Sequence, residues 1–388
     1  MGTTGIERLV LGLEAAGERS LRRTRRAIAT PQGPRIRSGG RELLNFSSND
    51  YLGLANHPAL REAAKRSIDE HGVGAGASPL VSGYLDIHRE AEERFARFVD
   101  LPRALLFASG YAANLGILGA LADRSAEIFA DKLNHACLTD GAHLSRATFT
   151  RYPHGDMEAL EQRLRESKCA LRIVATDTVF SMDGDVAPLG RLLELCEAHD
   201  AWLVLDDAHG IGVLGARGHG SLEHATLRSP RIVYMATLGK ALGGYGAFVA
   251  GEAGLVDWLV QRARTYIYST ALPPMAASAA IAAMDLIDRE PGVVGTLHAR
   301  IAQFRSACSA AGIALGESQT AIQPLPLGDA QRALEVASRL NDAGFLVPAI
   351  RPPTVPEGTS RLRVSLSAAH RTEDVQALVA ALAAALRP

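Results

Sequence analysis

The sequence predicts an α/β fold, with a mostly parallel central sheet in a large domain and a smaller α+β domain towards the C-terminus. Short continuous apolar runs alternate with helical patterns through the middle of the chain. Such runs are typical of strands that helices cover on both faces, as in parallel sheets. In addition, several of these runs are followed by polar residues that could act in catalysis or binding. They lie at the carboxyl ends of the predicted strands, where open α/β folds bind ligands.

The predicted elements follow one another in regular order. A strand that ends before Ser109 and Gly110 precedes a helix over residues 111–121, and an amphipathic helix over residues 157–166 precedes another strand. Strands separated by helical segments in this way indicate βαβ units. The predicted strands are residues 104–107, 127–130, 171–176, 202–205, 232–236 and 247–250.

The pattern changes after residue 268. Pro273 and Pro274 precede an alanine-rich stretch that predicts a long connecting helix, and the tail alternates helices with short strands at 321–323 and 361–366. With 388 residues the chain is long enough for two domains. We expect an N-terminal segment over residues 1–50, a large cofactor-binding domain over 51–285 and a small domain over 286–388.

Charge and composition disfavour several classes of protein. The 41 lysine and arginine residues are balanced by 42 acidic residues, so no overall field favours nucleic acid or an anionic membrane. Aromatic residues make up only 5% of the chain, which argues against a surface that stacks bases. We see no apolar stretch of membrane-spanning length and no spacing typical of metal ligands.

The cysteines and the N-terminus favour the cytoplasm. The four cysteines are scattered without disulfide or metal spacing, and buried reduced thiols fit a reducing compartment. The N-terminus lacks the apolar core of a signal peptide. Glu7, Glu14 and Glu18 precede the arginines of residues 22–26, which disfavours a transit peptide because such peptides are poor in acids.

Lys240 is the most informative residue of the chain. It lies among glycines in residues 237–244, and the apolar run at 202–205 leads upstream into Asp206 and His209. Each of these two segments alone has a plain structural explanation. The lysine could be a surface residue in a glycine loop, and the aspartate could cap a helix. Together, in this order, they are the parts that hold pyridoxal 5'-phosphate, because a lysine forms the Schiff base and an aspartate pairs with the pyridinium nitrogen.

Two other segments support a cofactor site. Ser109, Gly110 and Tyr111 lie between a strand and a helix, where backbone N–H groups and the helix dipole bind phosphate. His135 has no metal-like partner at ligand spacing. It is either a satisfied core histidine or a flat ring that stacks on the cofactor.

Several segments together resemble the α-oxoamine synthase family of fold-type I pyridoxal-phosphate enzymes. The likeness runs from about residue 20 to residue 370. The matching segments are residues 45–54, 180–185, 206–210, 237–244, 350–356 and 358–363.

The resemblance implies a role for each matching residue around the cofactor. Lys240 would be the Schiff-base lysine and proton shuttle, and Asp206 would pair with the ring nitrogen. The other implied cofactor contacts are His135 stacked on the ring, His209 and Ser181 at its substituents, and Gly110, Tyr111, Thr237 and the other subunit's Thr270 at the phosphate. One position departs from the family, since Asp177 stands where a longer glutamate is more common, so that its hydrogen bond is expected to run through water.

The resemblance also implies substrate contacts. Asn49 and Arg351 would bind the carboxylate of an amino acid, for which a bidentate guanidinium fits well. Arg363 is a second candidate for that role. Arg23 would face the acyl substrate.

The implied reaction is a decarboxylative condensation. The member of the family that the segments favour joins L-alanine to a pimeloyl thioester, carried by CoA or acyl carrier protein, and releases carbon dioxide and the free thiol. The product is an amino ketone of biotin biosynthesis. The resemblance further implies a homodimer with active sites at its interface.

Three alternatives remain open. A sister synthase, such as 2-amino-3-ketobutyrate CoA ligase, would share every cofactor residue but use glycine, serine or another thioester. A different fold-type I enzyme, such as an aminotransferase, would release a keto acid and no carbon dioxide. A non-catalytic protein built on this fold would bind no cofactor.

Overall fold

The computed structural model describes residues 4–18 and 21–387, in which strands of three sheets alternate with helices. The strands are β1 Arg35–Ser38, β2 Arg41–Asn45, β3 Arg103–Phe107, β4 Ala126–Asp131, β5 Thr148–Tyr152, β6 Leu171–Asp177, β7 Ala201–Asp206, β8 Ile232–Thr237, β9 Ala247–Gly251, β10 Ile322–Gly328, β11 Phe345–Leu346, β12 Ala349–Ile350 and β13 Ser360–Ser365.

The helices lie between these strands and at both ends of the described chain. They are α1 Gly5–Glu18, α2 Pro58–His71, α3 Asp86–Val99, α4 Gly110–Leu121, α5 Ala136–Ser145, α6 Met157–Glu166, α7 Leu189–Ala198, α8 Ser221–His224, α9 Ala253–Arg262, α10 Arg264–Ile267, α11 Pro274–Arg289, α12 Gly292–Ala310, α13 Ala330–Asp342 and α14 Thr372–Ala385, with a π-helical turn at Pro79–Gly83.

The central sheet has seven strands in the order β3-β9-β8-β7-β6-β4-β5. All neighbours from β8 to β5 are parallel, whereas β9 runs antiparallel to both β8 and β3. The prediction of a mostly parallel sheet is therefore confirmed. Each of the six predicted strands matches a strand of this sheet, but β5 was not predicted.

The strands of the sheet centre are apolar because both faces are covered. Along β6 and β7, Val174 and Leu203 face one buried cluster while Ile173 and Val204 face the other. This alternation between two cores explains why these strands appear as continuous apolar runs. It also leaves polar residues only at the strand ends, where the backbone leaves the core.

Two smaller sheets complete the fold. One has the order β10-β13-β12, and the other, β1-β2-β11, joins the two ends of the chain because Leu44 pairs in parallel with Phe345. Residues 35–45, predicted as part of an N-terminal segment, thus hydrogen-bond with residues 345–346 of the predicted small domain. The division into three segments remains a prediction.

The N-terminal helix α1 contributes little to the core. Several of its apolar side chains are exposed, among them Ile6, Leu9, Val10, Leu11 and Leu13. Within residues 4–18 and 21–387, no helix combines the length and the apolar character needed to cross a bilayer.

Gly243 fixes the loop after Lys240 against the segment after β2. Its φ is +63°, and a Cβ built there would lie 2.5 Å from both the nitrogen of Ala55 and the carbonyl carbon of Leu54. The backbone approaches so closely that no side chain fits. The glycine therefore allows the close contact that holds the lysine loop in place.

We expect Gly243→Ala to lower the free energy of unfolding by about 2–5 kcal/mol, because it combines a left-handed backbone with overpacking. Gly39→Ala is the matched control, since Gly39 has a φ of +57° and no atom within 4 Å of a built Cβ. The control should cost about 1–2 kcal/mol. Urea unfolding measures both values, and equal losses would contradict the close contact.

Candidate active site

A cavity of about 190 Å³ lies at the carboxyl ends of β6, β7 and β8. The N-termini of α4 and α5 close its other side. The structure brings most of the predicted site residues together here. They are Gly110, Tyr111, His135, Asp177, Ser181, Asp206, His209, Thr237 and Lys240.

Lys240 presents a buried amine to this cavity. Its Nζ lies 2.7 Å from Nε2 of His209. Burial lowers the pKa of the amine to about 8, although the carboxylates of Asp206 and Asp177 oppose this change. Roughly a tenth of the amine is therefore unprotonated at pH 7, far more than for an ordinary lysine, and the unprotonated form is the one that a nucleophile or a general base requires.

His209 is part of a buried chain of polar groups that was not predicted from the sequence. The hydroxyl of Tyr51 lies 2.7 Å from Nδ1 of His209 and accepts a hydrogen bond of 3.2 Å from Nη2 of Arg363. Burial lowers the pKa of His209 far below its usual value, and the charges of Lys240 and Arg363 lower it further. The imidazole is thus neutral, and the chain fixes its orientation beside Lys240.

Tyr51 is the main residue that sequence reasoning missed. It is fully buried, and burial raises the pKa of its phenol, so the hydroxyl keeps its proton. The signal was present, since Tyr51 belongs to the segment 45–54 that carries the family resemblance. Nothing in its spacing to His209, however, indicated that the two side chains meet.

Asp206 lies at the end of β7 with both carboxylate oxygens engaged. Oδ2 accepts a hydrogen bond of 2.6 Å from Nδ2 of Asn114, and Oδ1 accepts one of 3.0 Å from the backbone of Ala208. Asn114 is fully buried on α4 and also donates to Sγ of Cys137 at 3.0 Å. Asn114 and Cys137 were not predicted as part of the site, because an isolated amide or thiol in a helix has no distinctive pattern.

The first turn of α4 faces the cavity with Gly110 and Tyr111. The first N–H groups of a helix have no acceptor within it, and the helix dipole makes this end favourable for an anion. Ser109 does not line the cavity, and its Oγ accepts a hydrogen bond of 3.1 Å from the backbone of Ala112. Its hydroxyl caps the helix.

His135 caps α5 in a similar way while its ring lines the cavity. Its side chain accepts a hydrogen bond of 3.3 Å from the backbone of Cys137, and its own backbone N–H donates to Oδ2 of Asp177 at 3.1 Å. Burial lowers the pKa of the imidazole. The ring is therefore a neutral, flat surface at one side of the cavity.

Of the predicted substrate residues, Asn49 and Arg363 lie together. Nη1 of Arg363 donates to Oδ1 of Asn49 at 3.1 Å, and Nε donates to the carbonyl of Ser181 at 2.6 Å. Ser181 lines the cavity, so these groups adjoin it. They connect β13 of a small sheet with the loop after β2 and the loop after β6.

Besides Ser109, Asn49 and Arg363, three further predicted residues do not line this cavity. Arg23 is exposed, and Arg351 is half-buried directly after β12. Thr270 is exposed beside a separate cavity of about 20 Å³, next to His88 and Glu92. The chain thus assembles the lysine, the acids and the helix N-terminus in one cavity, but not every predicted contact.

Comparison with known proteins identifies the relatives of the chain. The model of the aminotransferase class I and II family matches residues 41–382. The chain is 52% identical to 8-amino-7-oxononanoate synthase from Methylococcus capsulatus over 365 residues, which are 94% of each protein.

Solved structures confirm the predicted fold-type I transferase fold. A serine palmitoyltransferase variant from S. paucimobilis with a bound PLP–myriocin aldimine is 27% identical, with a TM-score of 0.91 that covers 97% of this chain and 96% of the other. 8-Amino-7-oxononanoate synthase from Francisella tularensis is 30% identical, with a TM-score of 0.76 over 88% of this chain and 97% of the other.

We expect Tyr51→Phe to lower the free energy of unfolding by about 1–3 kcal/mol, because it leaves buried polar groups of His209 and Arg363 without their partner. Tyr245→Phe is the control, since Tyr245 is 60% exposed. The control should stay within about 0.5 kcal/mol of the original protein. Urea unfolding of both variants tests this, and equal effects would refute a buried chain of polar groups.

Proposed function

The chain belongs to the 8-amino-7-oxononanoate synthases of the class I and II aminotransferase family, and on this premise we propose that it is a pyridoxal-phosphate-dependent acyltransferase. It condenses L-alanine with a pimeloyl thioester of CoA or acyl carrier protein. The products are 8-amino-7-oxononanoate, carbon dioxide and the free thiol, in biotin biosynthesis. The main observation in support of this proposal is that one cavity holds the buried Lys240 amine, the Asp206 carboxylate and the open N-terminus of α4.

The residues of the cavity fit pyridoxal 5'-phosphate. Lys240 supplies the amine for the Schiff base, and Asp206 supplies the negative charge that faces the ring nitrogen. The backbone of Gly110 and Tyr111 supplies N–H donors for the phosphate. The remaining cofactor contacts in the proposal are His135, His209, Ser181 and Thr237.

When bound, the cofactor withdraws electrons from the α-carbon of the amino acid and so stabilises negative charge there. Lys240 takes and returns the proton at that carbon, for which its pKa of about 8 is suited because the amine can both accept and release a proton near neutral pH. His209, neutral and hydrogen-bonded to Nζ, orients the amine between these transfers. Hydrogen bonds from Asn114 and Ala208 hold the two carboxylate oxygens of Asp206 in place.

The guanidinium groups near the cavity bind the substrate carboxylates in this proposal. Arg363 and Asn49 already adjoin the cavity, and Arg351 follows β12, which pairs with the strand that carries Arg363. These groups receive the carboxylate of alanine. Arg23 is assigned to the acyl substrate because of its place in the matched N-terminal region, although in one subunit it is exposed.

We further propose a homodimer with Thr270 contributed by one subunit to the phosphate site of the other. Thr270 lies outside the Lys240 cavity of its own subunit. The next residue, Ala271, donates a backbone hydrogen bond of 2.9 Å to the carbonyl of Ala77. Large exposed apolar side chains lie close in sequence to Ala77 and Ala271, as expected of a surface that a second subunit covers. They are Val73, Leu80, Val81 and Tyr268.

The cytoplasm is the proposed location. All four cysteines are free thiols, of which Cys137, Cys196 and Cys308 are buried. Reduced cysteines are typical of cytoplasmic proteins.

We expect the purified protein, given pyridoxal phosphate, L-alanine and pimeloyl-CoA, to form 8-amino-7-oxononanoate and carbon dioxide, detected by mass spectrometry. Lys240→Ala should lower turnover by at least about 10²–10⁴-fold, since it removes the general base. Lys132→Ala, at an exposed lysine, is the matched control and should retain full activity. Circular dichroism would show that both variants fold.

The same assay separates the alternatives. Faster turnover of glycine or serine than of alanine would indicate a sister synthase. A keto acid without carbon dioxide would indicate an aminotransferase. Absence of a visible absorption band that borohydride abolishes would indicate a protein without cofactor.

We expect activity to return when two inactive variants, Lys240→Ala and Thr270→Arg, are mixed as heterodimers. If Thr270 acts across the interface, one site of each heterodimer has both native residues, so about half of the original activity per dimer should appear. If Thr270 acts within its own subunit, no site regains both residues and activity stays low. Mixing the original protein with Lys240→Ala provides the reference for one intact site.

A further inference from the structure

Two carboxyl groups meet at the edge of the central sheet that forms the cavity. Asp177 is the last residue of β6 and Asp206 the last of β7, and they are register partners in this parallel pair. Partners on adjacent strands project to the same face of a sheet. Both residues are buried, with 3% and 6% exposure, and both line the cavity.

The two acids differ in how their oxygens are satisfied. Asp206 has a hydrogen-bond donor on each oxygen, namely Asn114 and Ala208. Asp177 accepts one hydrogen bond on Oδ2 from the backbone of His135, but its Oδ1 is buried and has no hydrogen-bond partner. A buried polar atom without a partner is costly, and in a ligand site it indicates an atom that the ligand satisfies.

The charged groups around the pair can balance only one negative charge. Lys240 is the neighbouring cation, and with a pKa of about 8 its amine is mostly protonated at pH 7 and supplies one positive charge. The imidazoles of His135 and His209 have lowered pKa values and are neutral, and Asp131 at the end of β4 adds a further acid. Two adjacent carboxylates in such a setting do not both ionise.

The difference in hydrogen bonding decides which acid is charged. Asp206 has donors for both oxygens, which stabilise an anion. Burial raises the pKa of Asp177 well above its usual value, and the neighbouring Asp206 raises it further. The proton of the pair therefore resides on Asp177.

We propose that Asp177 and Asp206 share one negative charge, with Asp206 as the anion and Asp177 as a neutral acid whose Oδ1 hydroxyl donates a hydrogen bond to an oxygen of the bound cofactor. This role rests on the proposed function, because it takes the ligand to be pyridoxal phosphate. It explains the orphaned oxygen and gives the short aspartate a direct contact, where the sequence had suggested one through water. The cavity thus offers an acceptor at Asp206 and a donor at Asp177, on neighbouring strands.

Infrared spectroscopy of the cofactor-free protein tests the protonation state. We expect Asp177→Asn to remove part of the carbonyl band that protonated carboxylic acids give at neutral pH. The rest of the band remains, because burial raises the pKa of Glu92 to about 7 and this acid is partly protonated in both proteins. Asp257→Asn, at an exposed aspartate on α9, is the control and should leave the band unchanged. Equal band intensity in the original protein and in Asp177→Asn would overturn the proposal.

The affinity for pyridoxal phosphate alone tests the donated hydrogen bond. Asparagine has nearly the same shape, accepts from His135 and offers an N–H in place of the hydroxyl, so Asp177→Asn should bind within about threefold of the original protein. Asp177→Ala loses the donor and should bind about tenfold more weakly. If both variants lose affinity equally, a negative charge is what matters and the proposal is wrong.

The pH dependence of visible absorbance gives a third readout that is independent of folding defects in Asp177→Ala. Replacing a neutral acid by asparagine should leave the titration midpoint of the reconstituted protein nearly unchanged. Removal of an anion next to Lys240 would instead lower the midpoint by about one unit or more. No substrate is needed for any of these measurements, so failure to form 8-amino-7-oxononanoate would leave them interpretable.

Discussion

The amine of Lys240 lies 2.7 Å from His209, and this contact depends on groups from distant parts of the chain. Tyr51 after β2 fixes the far side of the imidazole, and Arg363 on β13 fixes Tyr51. The lowered pKa values of Lys240 and His209 arise mainly from burial. Because water would restore the charged forms, the burial of this group of side chains maintains a reactive amine.

The central sheet could be predicted because its strands are buried on both faces. Runs such as residues 202–205 contain no polar interruption, and only a parallel or sandwiched strand has this composition. β5 escaped prediction because it is an edge strand of sequence Thr148–Tyr152, with polar residues that face solvent. The pairing of β2 with β11 was not predicted, because two strands some 300 residues apart in sequence leave no local pattern.

The site could be predicted in part for a related reason. Lys240, Asp206 and His209 follow strands, so their meeting at one edge of the sheet follows from topology alone. Tyr51, Asn114 and Cys137 reach the same place from loops and helix faces, whose relative positions depend on tertiary packing. Ser109 has a role that its position between a strand and a helix did not specify, because its hydroxyl caps the helix whose first turn faces the cavity.

The parallel pairing of Leu44 with Phe345 has a consequence for how the protein is made. Residues near position 44 leave the ribosome long before residue 345 is synthesised, so β2 has to wait for its partner strand. During that interval the central sheet can form, whereas Phe46 and Tyr51, both fully buried in the finished protein, stay uncovered. Nascent chains of this protein therefore carry an apolar surface that chaperones can bind until translation is nearly complete.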